Sequence, residues 1–291
     1  MPIATVNGID ICYETSGDPD AEPVLLVMGF TAQLITWPDE FVQALVDRGF
    51  YVIRHDNRDS GLSHKTPAEP PDAAAILART MEGEDVTPDV PYTLSAMSDD
   101  AVGLIEHLGY ESAHVVGVSM GGMIVQVMAI EHPERLRSVT SIMSTTGDRS
   151  VGKPTREALT ALLAPPADGR EAVIAQTVER NRILAGPLWD REESEIRCAA
   201  TYDRSFYPAG AAFQQAAIYA TGDRTEGLRS VEVPFLVVHG REDSIISWTG
   251  GIATAEAVAG ADLLVLAEMG HELSSKVIPQ VADAIHAIAH R

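Results

Sequence analysis

The chain has 291 residues, 45% of them hydrophobic, and 42 acidic against 21 basic residues leave a formal net charge of −21. That length supplies a buried core for one large domain or two small ones, while no apolar run approaches the ~20 residues of a membrane span. So acidic a balance argues against nucleic acid or an anionic membrane surface as partner.

The acidic residues are scattered rather than blocked, which reads as a solvated surface. Cys12 and Cys198 stand far apart with no metal-ligand spacing, and are expected as free thiols in the core. The stretch from Met1 to Gly8 lacks the basic-then-apolar pattern of a signal peptide, so the expected location is cytoplasmic.

In chain order, Ile3 to Glu14 alternates apolar and polar residues around Asn7-Gly8, the pattern of a hairpin with a two-residue turn. Val24 to Val27 is a compact buried strand that runs into the loop Met28-Gly29-Phe30. Helical spacing follows from Trp37 to Arg48 and stops at Gly49; Tyr51 to Arg54 is the next strand. Strand, helix and strand at this spacing make a parallel βαβ unit.

The polar loop His55 to Ser63 leads into a long excursion, Thr66 to Pro91, with one helical turn expected near Ala74 to Thr80. Leu94, Met97, Ala101, Leu104, Ile105 and Leu108 mark one face of a helix ended by Gly109. Ala113 to Val118 is a strand, and Ser138 to Met143 another. From about Ser144 to Arg229 strand-like runs give way to helical patterns at 157–163, 171–184, 192–202 and 211–220. The sheet resumes at Pro234 to His239 and at Asp262 to Leu266, and an amphipathic helix with Ile278, Val281, Ile285 and Ile288 closes the chain.

Everything turns on Val115-Val116-Gly117-Val118-Ser119-Met120-Gly121-Gly122-Met123. An apolar strand stops at a serine between two glycines and a helical pattern begins, which is the nucleophile-elbow signature G-x-S-x-G. A serine forced into a strained backbone leaves little room two residues away on either side, so Gly117 and Gly121 relieve the clash. The same turn brings the Met120 amide to the first turn of the helix, where developing negative charge is favoured.

A serine hydroxyl needs a base to take its proton, and the base is usually a histidine oriented by a carboxylate. In an open parallel sheet such groups sit at the C-terminal ends of strands. The strand Phe235 to Val238 runs into Asp243, and Leu263 to Leu266 runs into His271. Ser119, Asp243 and His271 are therefore the expected nucleophile, acid and base, in the chain order of an α/β-hydrolase. Glu242 adjoins the acid, but its position after the strand favours it less. His239 is expected to pack or hydrogen-bond in its loop; His107, His114 and His132 fall on expected surface or helix-end positions, and His286 and His290 on the last helix. His55 and His64 are merely near the site.

The chain resembles the α/β-hydrolase superfamily over essentially its full length, and more narrowly the aclacinomycin methylesterase-like serine esterases. The resemblance rests on Val27-Met28-Gly29, Trp37-Pro38-Asp39-Glu40-Phe41, Val52 to Gly61, His114 to Gly122 and Gly270-His271. It implies a mostly parallel central sheet flanked by helices, and the all-helical block between strands reads as a lid inserted in that sheet: core residues 1–143, cap or lid 144–229, and core 230–291. It also implies triad roles for Ser119, Asp243 and His271, and oxyanion roles for the backbone amides of Phe30 and Met120. Met28 stands where many members carry a histidine before the oxyanion glycine, a departure that fits the narrower group.

The expected reaction is acyl transfer from a small-molecule ester through an acyl-enzyme, with no metal or organic cofactor called for. A lactonase, thioesterase, carbon–carbon hydrolase or cofactor-free perhydrolase would use the same triad, and a non-hydrolytic ligand sensor on the same fold is the alternative from another class. Apolar residues of the lid, Ile183, Leu184, Leu188, Trp189, Phe206 and Phe213, are the expected wall of an acyl or alcohol pocket. No basic cluster in the lid announces an anionic substrate.

Overall fold

A computed structural model describes all 291 residues. In chain order the elements are β1 (Ile3–Val6), β2 (Ile9–Ser16), β3 (Glu22–Val27), α1 (Asp39–Val46), β4 (Phe50–His55), α2 (Ala73–Met81), α3 (Leu94–His107), β5 (Ala113–Val118), α4 (Met120–Glu131) and β6 (Leu136–Ile142). Five helices follow without a strand: α5 (Arg156–Leu163), α6 (Arg170–Ala185), α7 (Arg191–Arg204), α8 (Gly210–Thr221) and α9 (Thr225–Leu228). The chain ends with β7 (Phe235–Gly240), α10 (Thr249–Ala257), β8 (Asp262–Leu266) and α11 (Ile278–Ala289). No helix is long and apolar enough to cross a membrane.

The eight strands form one sheet in the order β1-β2-β4-β3-β5-β6-β7-β8. β1 and β2 are the antiparallel hairpin, closed by Asn7 and Gly8 at φ 47° and 75°, the positive values that a right-twisted two-residue turn requires. β2 runs antiparallel to β4, and from β4 to β8 every neighbouring pair is parallel. Parallel strands need crossovers, which the helices supply on both faces.

Alternation along the strands sends side chains to two cores. Leu25, Val27, Val115 and Val237 pack with α3 and α4 through Met97, Ala101, Ile124 and Met128. Val24, Leu26, Val116 and Val238 pack on the opposite face with α1 and α11 through Phe41, Leu45, Val281 and Ile285. All six residues of the central strand β5 are buried, so its end is a fixed point in the molecule.

Three local readings need correction. The excursion after β4 holds a helix of nine residues, α2, rather than a single turn; Asp72 caps it by accepting from the amides of Ala74 and Ala75. α10 carries no helical signal in the sequence, because Gly250 and Gly251 stand in its first turn and it has no apolar stripe. The glycines are there for contact: a Cβ on Gly251 would lie 2.4 Å from Nδ1 of His239. His114 is no surface residue but is buried inside β5, where its Nδ1 lies 2.8 Å from Ser138 Oγ. Burial pulls its pKa down to about 4, against the opposing charge of Glu22.

Candidate active site

Ser119 stands between β5 and α4 at φ 55° and ψ −117°, a conformation that costs a non-glycine residue strain. The surrounding backbone holds it there. A Cβ on Gly117 would come within 2.1 Å of the Gly121 carbonyl oxygen, and one on Gly121 within 2.0 Å of the Val27 carbonyl oxygen. The Ser119 amide donates to Ile142 O at 2.9 Å, while its carbonyl accepts from Met123 N and from Ser144 Oγ. Two strands and a helix thus converge on one residue.

The loop after β3 lies against the elbow, with a Cβ on Gly29 reaching to 3.2 Å of Ser119 Cβ. Two side chains of the polar loop after β4 and one from α8 hold it. Asn57 Nδ2 donates to Met28 O at 2.8 Å, Gln214 Oε1 accepts from Thr31 N at 2.7 Å, and Ser60 Oγ donates to Ala32 O at 2.6 Å. The Phe30 amide in the middle has no acceptor of its own, and the Met120 amide is the first of α4 with none inside its helix. Two free N–H groups beside a serine can receive a developing oxyanion.

Asp243 follows β7 and is buried. Its Oδ1 accepts from the amides of Ile245 and Ile246 at 3.0 and 2.9 Å, which fixes the carboxylate in plane. Its Oδ2 lies 2.7 Å from His271 Nδ1. A carboxylate only accepts, so Nδ1 carries the proton and Nε2 is left as the ring's basic nitrogen. Burial alone would raise the Asp243 pKa, but His271 and His239 outweigh it and hold the group down at about 2. Glu242 is exposed, and the imidazole's hydrogen-bonded carboxylate is Asp243. His239, buried near the end of β7, donates from Nε2 to Ile246 O in the following loop at 2.8 Å.

His271 follows β8, and its amide donates to Leu184 O at 2.8 Å, at the C-terminal end of α6. The approach is close enough that a Cβ on Gly270 would meet the Ala185 carbonyl oxygen at 2.2 Å. Ser119 and His271 line one cavity of about 690 Å³, together with Gly29, Phe30 and Met120. No hydrogen bond joins the Ser119 hydroxyl to the ring; the two groups meet as walls of the same cavity.

Of the six expected wall residues, Leu184 and Phe206 line this cavity. The other four do not. Phe213 is 1% exposed within the core that α8 shares with the sheet, and Ile183 packs against that same core. Past Gly186 the chain leaves the cavity, so that Leu188 packs into the opposite core and Trp189 lines a separate outer groove. Leu162, Ile174 and Tyr202, from three different helices, take their places.

The helices over the cavity are clamped to the sheet side by buried polar contacts. Arg204 of α7 pairs with the fully buried Asp56 at 2.7 Å and donates to Gln33 Oε1, and Gln33 in turn donates to the carbonyls of Thr201 and Ser205. Asp56 also accepts from the amides of Leu34 and Leu62. At the other side of the cavity Arg197 pairs with Glu272, the residue after His271.

A family model described as alpha/beta hydrolase fold matches residues 22–275. The rhodomycin D methylesterase DnrP of Streptomyces peucetius is 28% identical, over 97% of this chain and 96% of its own. The 2-hydroxymuconate semialdehyde hydrolase of Pseudomonas sp. (strain CF600) is 31% identical over 63% of this chain and 64% of its own. Among solved structures, the enol-lactonase from Burkholderia xenovorans LB400 superposes with a TM-score of 0.76 at 22% identity, covering 100% of both chains. That last likeness is one of fold.

Proposed function

This chain belongs to the alpha/beta hydrolase fold family, and we propose that it is a serine-dependent carboxylic ester hydrolase acting on small to medium, largely apolar esters. The observation that carries the reading is the meeting at one cavity of a strained Ser119 and a His271 whose Nδ1 is held by a buried Asp243.

In this reading Ser119 Oγ attacks the ester carbonyl while His271 Nε2 takes its proton, and Asp243 stabilises the imidazolium that forms. The amides of Phe30 and Met120 receive the oxyanion, each worth about 3 kcal/mol in the transition state. The protonated imidazole then gives its proton to the departing alcohol, leaving Ser119 acylated. Water attacks the acyl-enzyme through the same groups, releasing the acid and restoring the serine. Residues 144–229 serve as the lid whose inner side sizes the acyl and alcohol groups, over a core of 1–143 and 230–291. The similarity to a methylesterase over nearly the whole chain supports an ester as the substrate.

Hydrolysis of p-nitrophenyl esters from acetate to palmitate, with Ser119→Ala in parallel, tests the proposal. Turnover peaking at short or medium chains, and lowered by about 10⁴-fold or more in Ser119→Ala, is expected. Turnover that survives the substitution, or none across the series, would overturn it.

A further inference from the structure

The wall that α6 gives to the cavity holds a positive charge with no partner. Val173, Thr177, Arg180 and Leu184 recur at helical spacing on one face of α6, and all four line the cavity. Every other arginine of α6 and α7 is paired: Arg170 with Asp203, Arg182 with Glu179, Arg191 with Glu195, Arg197 with Glu193 and Glu272, and Arg204 with Asp56. Arg180 alone has no carboxylate, carbonyl or amide oxygen within reach, although it is only partly exposed and burial lowers its pKa. Scarcity of acids does not explain this, since they outnumber bases 42 to 21. The Arg180 guanidinium nitrogens are not among the polar atoms closed off by protein without a partner, so they stay open to a ligand's charge.

The charges facing that space can be counted. Arg197, also in the wall, is neutralised by Glu272. One unit of positive charge remains, set in a largely apolar cavity that also holds Ser119. We propose that Arg180 is a specificity-determining residue that receives a carboxylate carried by the substrate, so that the preferred ester is a half-ester: an acyl ester at Ser119 joined by an apolar spacer to a monoanion at Arg180. A guanidinium matches a carboxylate in two parallel N–H···O bonds, and a single charge matches a carboxylate better than a dianionic phosphate. No sequence pattern marks Arg180, because only the folded helices distinguish the one unpaired arginine of α6 and α7 from its paired neighbours.

The proposal rests on the ester-hydrolase reading, and the experiment separates the two. Monomethyl esters of dicarboxylic acids from succinate to sebacate are compared with methyl esters of the matching monocarboxylic acids in a pH-stat. Wild-type protein is expected to show the higher kcat/KM on a half-ester, and Arg180→Gln to lower the half-ester to neutral-ester ratio by about 10- to 100-fold, with Arg180→Lys between them. A ratio that Arg180→Gln leaves unchanged, or no wild-type preference for any half-ester, overturns the assignment. Should no ester turn over, the hydrolase reading fails, and calorimetric binding of hexanoate and octanoate to Ser119→Ala decides the anion site by itself. Binding weakened by adding Arg180→Gln sustains that site; binding indifferent to it, or absent, refutes it.

Discussion

The wall of the cavity that the sheet supplies and the wall that the helices between β6 and β7 supply are held by different kinds of interaction. On the sheet side Ser119, Asp243 and His271 each lie just past the end of a parallel strand, and backbone atoms set their places through approaches that only glycine permits at 117, 121 and 270. On the helical side the fixing contacts come from long side chains, Arg204 to Asp56, Gln33 to Thr201 and Ser205, and Arg197 to Glu272. A wall made of backbone changes only when the fold changes. A wall made of side chains can be altered one residue at a time, which suits it to choosing substrates.

The largest expected effect tests whether the sheet side works as a unit. Asp243→Asn keeps the volume of the acid but can no longer hold the imidazole in the required tautomer, and is expected to lower kcat by about 10⁴-fold with an unchanged circular dichroism spectrum. A fall of less than tenfold would mean that the amides of Ile245 and Ile246 and the fold of the loop suffice without the charge.

The clamp between the two walls comes next. Asp56→Ala leaves Arg204 without its buried partner and frees the amides of Leu34 and Leu62, so about 3–5 kcal/mol of stability should be lost in urea unfolding. Arg204→Met should cost less, because Asp56 keeps its two amide donors. Equal losses would show that the ion pair alone carries the clamp.

The smallest effect concerns the sheet alone and is read through pH. The folded pKa of His114, at about 4, lies below the 6.5 of an unfolded histidine. As pH falls below 6.5 the unfolded chain takes up this proton first, so stability present above 6.5 is lost down to about 4, at a slope no steeper than about 1.4 kcal/mol per unit. His114→Gln should flatten the dependence of Tm on pH in that window. A profile unaltered by the substitution would assign the loss to other groups.

What could be read from the sequence divides along the same line. The elbow was legible because sterics demand glycine at fixed offsets from Ser119, and Asp243 and His271 because strand ends are visible as apolar runs. The order of strands across the sheet was not legible, because apolar runs mark strands without saying which of them pair. Residues whose role depends on where a helix points once packed were not legible: four of the six expected wall residues face elsewhere, and Asn57 and Asp56 looked like ordinary loop polarity until Met28 and Arg204 were placed beside them. α10 escaped for a related reason, its glycines being a response to His239 rather than a helical signal.

The single hydrogen bond from the His271 amide to Leu184 O has a consequence for modularity. The turn that presents the imidazole is anchored on the very helix that bears Arg180 and Leu184, so exchanging the helical insert between relatives also exchanges the peg on which that turn hangs. A chimera that imports a new binding surface should therefore inherit a changed rate constant for turnover along with a changed preference, unless the graft junction retains Leu184 to Gly186 and the close fit of Gly270 against Ala185.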